Sequence, residues 1–351
     1  MNVNVAQDLT AQDLTAQDRI ARDLSAARSL DEYYPRLAAA NMGAGWNKRE
    51  PSLYPMPKKT FLPAHWPYRT ARAALDAAAR LIGTEHAERR NLILHNPLPG
   101  NTYGTAPTIV AAYQMIKASE VARSHRHTPN AMRFILETGP KAYTIVDGKK
   151  VPMEPGDVLL TPNWSWHGHS NESAYNAYWI DFLDVPLTHL LGPVFFEQLD
   201  EKFVEDATEV AVDSPMRFPF AAWGAKVAEQ RQSRPGLREL VVGPPYLDTL
   251  RIKWRNFSAD ATVEEPQTTA SCVYAVHSGN GVVTCDDHRF EWTRGDVFVI
   301  PAWRAARWQV GGESYLLRVS DESLLEKLNW LHTTEPGSRM ENAGKRPRAS
   351  F

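Results

Sequence analysis

Between positions 105 and 185 the apolar residues come in short runs rather than at helical spacing. TIVAAYQMI (108–116), AMRFIL (131–136), AYTIV (142–146), DVLLTP (157–162) and AYWIDFL (177–183) are β-branched and aromatic stretches. Turn signals such as DGKK (147–150) and EPGD (154–157) separate them. Strands of this length, spaced about ten residues apart, predict an all-β sandwich or barrel. The same texture returns over 246–320, in YLDTLRIKWRNF, SCVYAVHSGNGVVTC, RFEWTRGDVFVIPAW and ESYLLRVS. Ahead of the first β region, the Ala- and Leu-rich stretch 69–90 predicts a helix interrupted at Gly83. AQDLT occurs at 6–10 and 11–15, followed by AQDRI and ARDLS. Five residues advance about 500° around a helix, so no apolar stripe is kept and the segment predicts a frayed helical arm. Residues 334–351 are polar and punctuated by Pro and Gly, which predicts a disordered tail.

The two β regions are copies of one plan. Gly156-Asp157-Val158 through Pro162 and Trp164 falls on Gly295-Asp296-Val297 through Pro301 and Trp303, and Gly139 falls on Gly279. A repeat of this size predicts two similar β domains. The expected organisation is an arm and helical region over 1–90, a first β domain over 91–195, a connector over 196–245, a second β domain over 246–333, and the tail.

Composition narrows the partners. The 351 residues carry 39 Lys+Arg against 41 Asp+Glu, a net charge of −2, which gives no bulk attraction to nucleic acid or an anionic membrane. Two cysteines, Cys272 and Cys285, make neither a disulfide framework nor a Cys-rich zinc site, and are expected to act as small hydrophobes. No run approaches the ~18 consecutive apolar residues of a membrane span. The first residues, MNVNVAQDL, lack the basic and apolar regions of a signal peptide, so a soluble, cytoplasmic protein is expected.

The chemistry concentrates in two histidine pairs, His125 and His127 in SHRHTPN and His167 and His169 in WSWHGHSN. On a strand, residues i and i+2 project from one face, so each pair can aim two imidazoles into the same barrel interior. That pattern points to metal binding.

These residues carry a family resemblance. Gly156-x5-Pro162-x4-His167-x3-Asn171 resembles the second motif of the cupin superfamily, and His125-x-His127 resembles the core of its first. The stretch from SHRHTPNAMRFILETG through WHGHSNE to WIDFLDVPL is similar to the bicupin gentisate and salicylate 1,2-dioxygenases, over roughly residues 85–320. The resemblance implies a mainly β bicupin of two small antiparallel barrels (jelly rolls), soluble and assembled as a homotetramer.

Many cupins place a glutamate ligand where this chain has Ala131. The implied ligand set is therefore three imidazoles, His125, His127 and His167. Three His suit Fe(II) and also Zn(II), and the resemblance selects one Fe(II) per chain with O2 as co-substrate. Neutral ligands leave the full metal charge in place, which favours an anionic chelator such as a 2-hydroxybenzoate. The resemblance implies that Arg133 holds the substrate carboxylate and that Arg89 and Gln114 face the pocket. It also implies that His169 serves as acid or base and that Asp181 stands near the site.

The chain departs from the family at three places. WHGH stands for WHDH, Val110 stands where a Trp is frequent, and Ser119 replaces a glycine. These departures favour a substituted salicylate, for example 5-nitrosalicylate, over gentisate. A non-oxidative metal-binding bicupin, acting as an isomerase or small-acid binder, is the alternative of another class. In the second repeat the aligned positions are Glu265, Gln267, Ala306 and Trp308, so no second metal site is expected. His277 and His288 are expected to be ordinary polar residues, and Trp292, Trp303 and Trp308 to pack in a core or contact.

Overall fold

The structure, a computed structural model, describes residues 11–83, 89–199 and 207–334. The first AQDLT copy and residues 84–88 and 335–351 lie outside the described residues; the helix expected over 69–90 ends at Leu81, and Arg90 already opens a strand paired with Val110–Ile116. Two compact units are distinguishable, Met1–Lys58 and Lys59–Phe351. The first contains helices Ala11–Ser25 and Leu30–Ala39, and Ser29 caps the second of these by accepting the Glu32 N–H at 3.2 Å. No described helix is long and apolar enough to cross a membrane.

The second unit holds both β domains. Each is an open pair of facing antiparallel sheets, not a closed ring of hydrogen-bonded strands. The first domain sets a six-stranded sheet (217–218, 158–161, 131–137, 177–183, 110–116, 90–93) against a five-stranded one (196–198, 121–127, 167–171, 142–146, 149–152). The second sets seven strands (64–66, 297–300, 272–278, 314–320, 251–257, 237–241, 232–234) against four (262–265, 306–310, 280–285, 288–293). Strands Gln232–Arg234 and Leu237–Val241, from the 196–245 stretch, thus belong to the second sheet.

The two domains exchange short strands. Ala64–Trp66 pairs with Val297–Val299 of the second domain, and Arg217–Phe218 pairs with Val158–Leu159 of the first. A helix follows each exchanged strand after a proline, Tyr68–Leu81 after Pro67 and Phe220–Ala228 after Pro219. Neither proline can cap with its side chain, so an aspartate from the neighbouring sheet does it. Asp296 Oδ1 accepts the Tyr68 N–H at 2.8 Å, and Asp157 Oδ1 accepts the Phe220 N–H at 3.2 Å. The Gly-Asp turn of each repeat is therefore a helix anchor.

Strand alternation then sorts the interior. Met132, Phe134 and Leu136 point into an apolar layer between the domains, shared with Trp254, Val273 and Leu317. The intervening Arg133 and Ile135 point into the first domain. Every residue of strand 131–136 is buried for that reason. At the bottom of the first domain, Ile135, Leu159 and Trp179 close the interior. The second interior packs Trp292 and Trp308 with Cys272 and Cys285, both free thiols.

Candidate metal centre

The open end of the first domain brings three of the four paired histidines together. His125 and His127 share one face of strand Val121–His127. His167 opens the neighbouring strand as the direct cross-strand partner of His125. The ligand atoms of His125, His127 and His167 all lie within 4.8 Å of one another. Each Nδ1 turns to a nearby backbone carbonyl: His127 to Pro129 O at 2.8 Å, His167 to Ser165 O at 2.9 Å, His125 to Arg123 O at 3.4 Å. That leaves the three Nε2 atoms to face a common point. Burial, helped by Arg89, pushes His125 down to about 3 and lowers His127. Burial and the neighbouring imidazole of His125 hold His167 well below the usual histidine range. All three are thus neutral donors, the state a metal requires. Ala131 contributes no carboxylate. This donor set fits a nitrogen-preferring divalent metal with open positions.

Beside the triad lies a cavity of about 180 Å³. His127, His167, Arg89, Gln114, Arg133 and Asp181 line its polar side, and Ile93, Tyr103, Val110, Ala112, Leu183 and Val185 line the rest. Register explains the polar cluster, because Asp181 is paired across strands with both Arg133 and Ala112. Arg133 Nε donates to Asp181 Oδ1 at 3.2 Å, and its Nη1 donates to Thr144 Oγ1 at 2.8 Å. Gln114 Nε2 donates to Asp181 Oδ2 at 2.7 Å, and Gln114 Oε1 accepts from Arg89 Nε at 2.5 Å. One carboxylate therefore organises two guanidinium groups. Arg133 sits on the floor of the cavity, 1% exposed, and not at its rim. Arg90 faces away, bonded to Glu120 and to the Ile82 carbonyl.

His169 is placed differently from the triad. It is 1% exposed and packed on Trp179 with ring centroids 4.7 Å apart. Neither ring nitrogen has a hydrogen-bond partner among the described residues, and it does not line the cavity. Gly168, the departure from WHDH, also has a local cause. A Cβ there would lie 2.7 Å from Ser124 Oγ and 2.9 Å from the Ala122 carbonyl, so an acidic side chain has no room. Thr144 escaped the sequence reading. A threonine on an apolar strand carries no signal until the strand is paired.

The corresponding positions of the second domain carry other side chains. His125 pairs with His167 in the first domain, and Glu265 pairs with Ala306 in the second. Among the described residues, the His125–His127–His167 triad is the one group of three metal-ligating side chains close enough to share an ion.

Comparison with known proteins agrees with this geometry. The cupin domain model matches residues 112–183. A 5-aminosalicylate 1,2-dioxygenase from Comamonas sp is 32% identical over 331 residues, covering 85% of this chain and 88% of the relative. A gentisate 1,2-dioxygenase from Streptomyces sp is 30% identical over 343 residues, covering 87% and 95%. Among solved structures, the salicylate 1,2-dioxygenase from Pseudaminobacter salicylatoxidans superposes with a TM-score of 0.81 at 26% identity, covering 89% of this chain and 99% of that one. The chain belongs to the cupin family of gentisate and salicylate 1,2-dioxygenases.

Proposed function

We propose that the protein is an Fe(II)-dependent, extradiol-type dioxygenase. It opens a substituted salicylate between the carboxyl-bearing and hydroxyl-bearing carbons, with O2 as co-substrate and a ring-opened 2-oxo diacid as product. The observation that carries this reading is the convergence of three neutral imidazoles beside a cavity that two guanidinium groups line. His125, His127 and His167 would hold the iron, one per chain. Once bound, it would supply electron transfer between the substrate phenolate and dioxygen.

The remaining roles belong to the chain's own residues. Arg133, with Nη2 and one Nη1 hydrogen left over from Asp181 and Thr144, binds the substrate carboxylate, and Arg89 faces the same anion. Gln114 and Asp181 hold these two cations in position. His169 packs on Trp179 behind the cavity and does not reach its lining, so no direct contact with the substrate is assigned to it. Val110 and Ala112, small residues on one face of strand Val110–Ile116, leave room beside the ring. That room favours a ring-substituted salicylate such as 5-nitrosalicylate over gentisate. Family resemblance adds a cytoplasmic homotetramer to the proposal.

The test is oxygen uptake by protein purified without oxygen and loaded with Fe(II), against salicylate, gentisate, 5-nitrosalicylate and 1-hydroxy-2-naphthoate. Stoichiometric uptake with a 5-substituted salicylate, exceeding that with gentisate, is expected. Metal loading with no uptake on any of the four would leave the non-oxidative small-acid binder as the better reading.

A further inference from the structure

We propose that Asn130 is a positioning residue of the metal centre, and that the second domain holds it in place through Thr249. The inference rests on the triad being a metal site, but not on the ring-cleaving activity.

Two turns flank the ligands. Residues 128–130 follow strand Val121–His127, and residues 162–166 precede strand His167–Asn171. Each turn supplies the carbonyl that fixes a ligand's Nδ1, Pro129 O for His127 and Ser165 O for His167. The separation of the two ligands therefore depends on how the turns are held together. Two bonds hold them. The Trp164 N–H donates to the His127 carbonyl at 2.9 Å, and the Asn163 N–H donates to Asn130 Oδ1 at 3.0 Å.

The side chain that makes the second bond is itself fully engaged. Asn130 Nδ2 donates to Asp184 Oδ2 at 3.1 Å and to Thr249 Oγ1 at 3.0 Å, and the Asn130 N–H donates to Asp184 Oδ1 at 2.8 Å. Thr249 Oγ1 donates in turn to Asp184 Oδ2. A backbone donor on one side and a carboxylate on the other allow only one orientation of the amide. Asp184 is 2% exposed and precedes helix Val185–Leu191 in the first domain. Thr249 lies two residues ahead of strand Arg251–Phe257 in the second. A polar bridge thus runs from the second domain to the carbonyls that orient two of the three ligands. Outer groups that orient metal ligands typically govern affinity by 10- to 100-fold.

The experiment measures Co(II) affinity of the metal-free protein by chelator competition, the visible spectrum of the Co(II) form, and the melting temperature of the metal-free form. Asn130→Ala is expected to weaken Co(II) binding by about 10- to 100-fold and to alter the spectrum. Thr249→Val should shift affinity in the same direction by a smaller factor, and Thr249→Ser should restore it. A merely structural clasp would lower the melting temperature while leaving affinity and spectrum at wild-type values, and that result overturns the proposal. If Asn130→Ala does not fold, the Thr249→Val and Thr249→Ser pair decides alone, since unchanged Co(II) affinity in Thr249→Val also overturns it. Wild-type protein that binds no Co(II) would sink this inference and the metal reading together. Normal Co(II) binding without oxygen uptake would sink only the proposed reaction.

Discussion

The two β domains keep one backbone plan and fill it with opposite chemistry. Asp147 and Asp286 adopt φ of 46° and 48°, Gly156 and Gly295 of 91° and 86°, and Trp164 and Trp303 of 63° each. At the cross-strand pair where the first domain places His125 and His167, the second places Glu265 and Ala306. The first interior leaves three imidazole lone pairs unspent at an open cavity. In the second, the fully buried Arg255 clamps Glu265 with bonds of 3.1 and 2.8 Å, while its Nε lies 3.2 Å from Glu239. Trp308, at the His169 position, donates Nε1 to Glu265 at 2.6 Å. The sandwich itself is thus indifferent to chemistry. One copy keeps neutral donors that could hold an ion, and the other closes its charges upon themselves.

The comparison is broken most severely by removing a ligand. His167→Ala should abolish metal binding and turnover together, because two imidazoles from one strand leave the face incomplete. Metal analysis and oxygen uptake on one preparation check this, and a variant with full metal and turnover would remove His167 from the set. Stoichiometry belongs to the same test: one metal per chain is expected, and two would give the second domain a site.

The next largest effect falls on the second domain. Glu265→Gln removes the bidentate carboxylate and leaves Arg255 with Glu239 alone, 3.2 Å away, so the loss should be about 1–3 kcal/mol. Denaturant melts should show that loss while metal content and kcat/KM per folded enzyme stay at wild type. A drop in metal content with stability unchanged would contradict the division of labour between the domains.

Arg133→Ala should lower kcat/KM at least about tenfold, since a hydrogen bond to a charged group contributes roughly 1.5–3 kcal/mol. Metal content should stay near one per chain. Lys at this position should recover only part of the loss, because an ammonium has no planar fork. Normal kcat/KM in a destabilised, metal-replete variant would reduce Arg133 to a structural partner of Asp181.

A pH-dependent effect tests the seam between the domains. His277 stacks on Phe220 with centroids 3.7 Å apart, and burial with nearby Arg294 pushes it down to about 4. In the unfolded chain it takes a proton near pH 6.5, which the folded form refuses. Its contribution is therefore intact above pH 6.5 and lost as pH falls toward 4, by up to about 1.4 kcal/mol per pH unit. His277→Phe should make the stability of the metal-free protein fall less steeply across that window, the remaining acid loss coming from the other buried histidines. An unchanged slope would assign the acid sensitivity to other groups.

Much of this was written in the residues themselves. The 139-residue offset of the Gly-Asp turns, the runs AMRFIL and AYWIDFL, and the two His-x-His pairs are local patterns, and local geometry carries them directly into strands and a shared face. The changed chemistry of the second repeat was equally legible, because Glu265, Gln267 and Ala306 stand where the first repeat has its three histidines. Other features depended on register and on distance along the chain. AHW at 64–66 is too short to announce a strand, and its partner lies more than 200 residues away. Nothing in a one-dimensional pattern sets Asp181 opposite Arg133, turns Arg89 inward and Arg90 outward, or brings Thr249 to Asn130. The sequence determined which side chains share a face, since that follows from a period of two. Only the tertiary structure decided which faces meet, because pairing and packing join residues far apart in the chain.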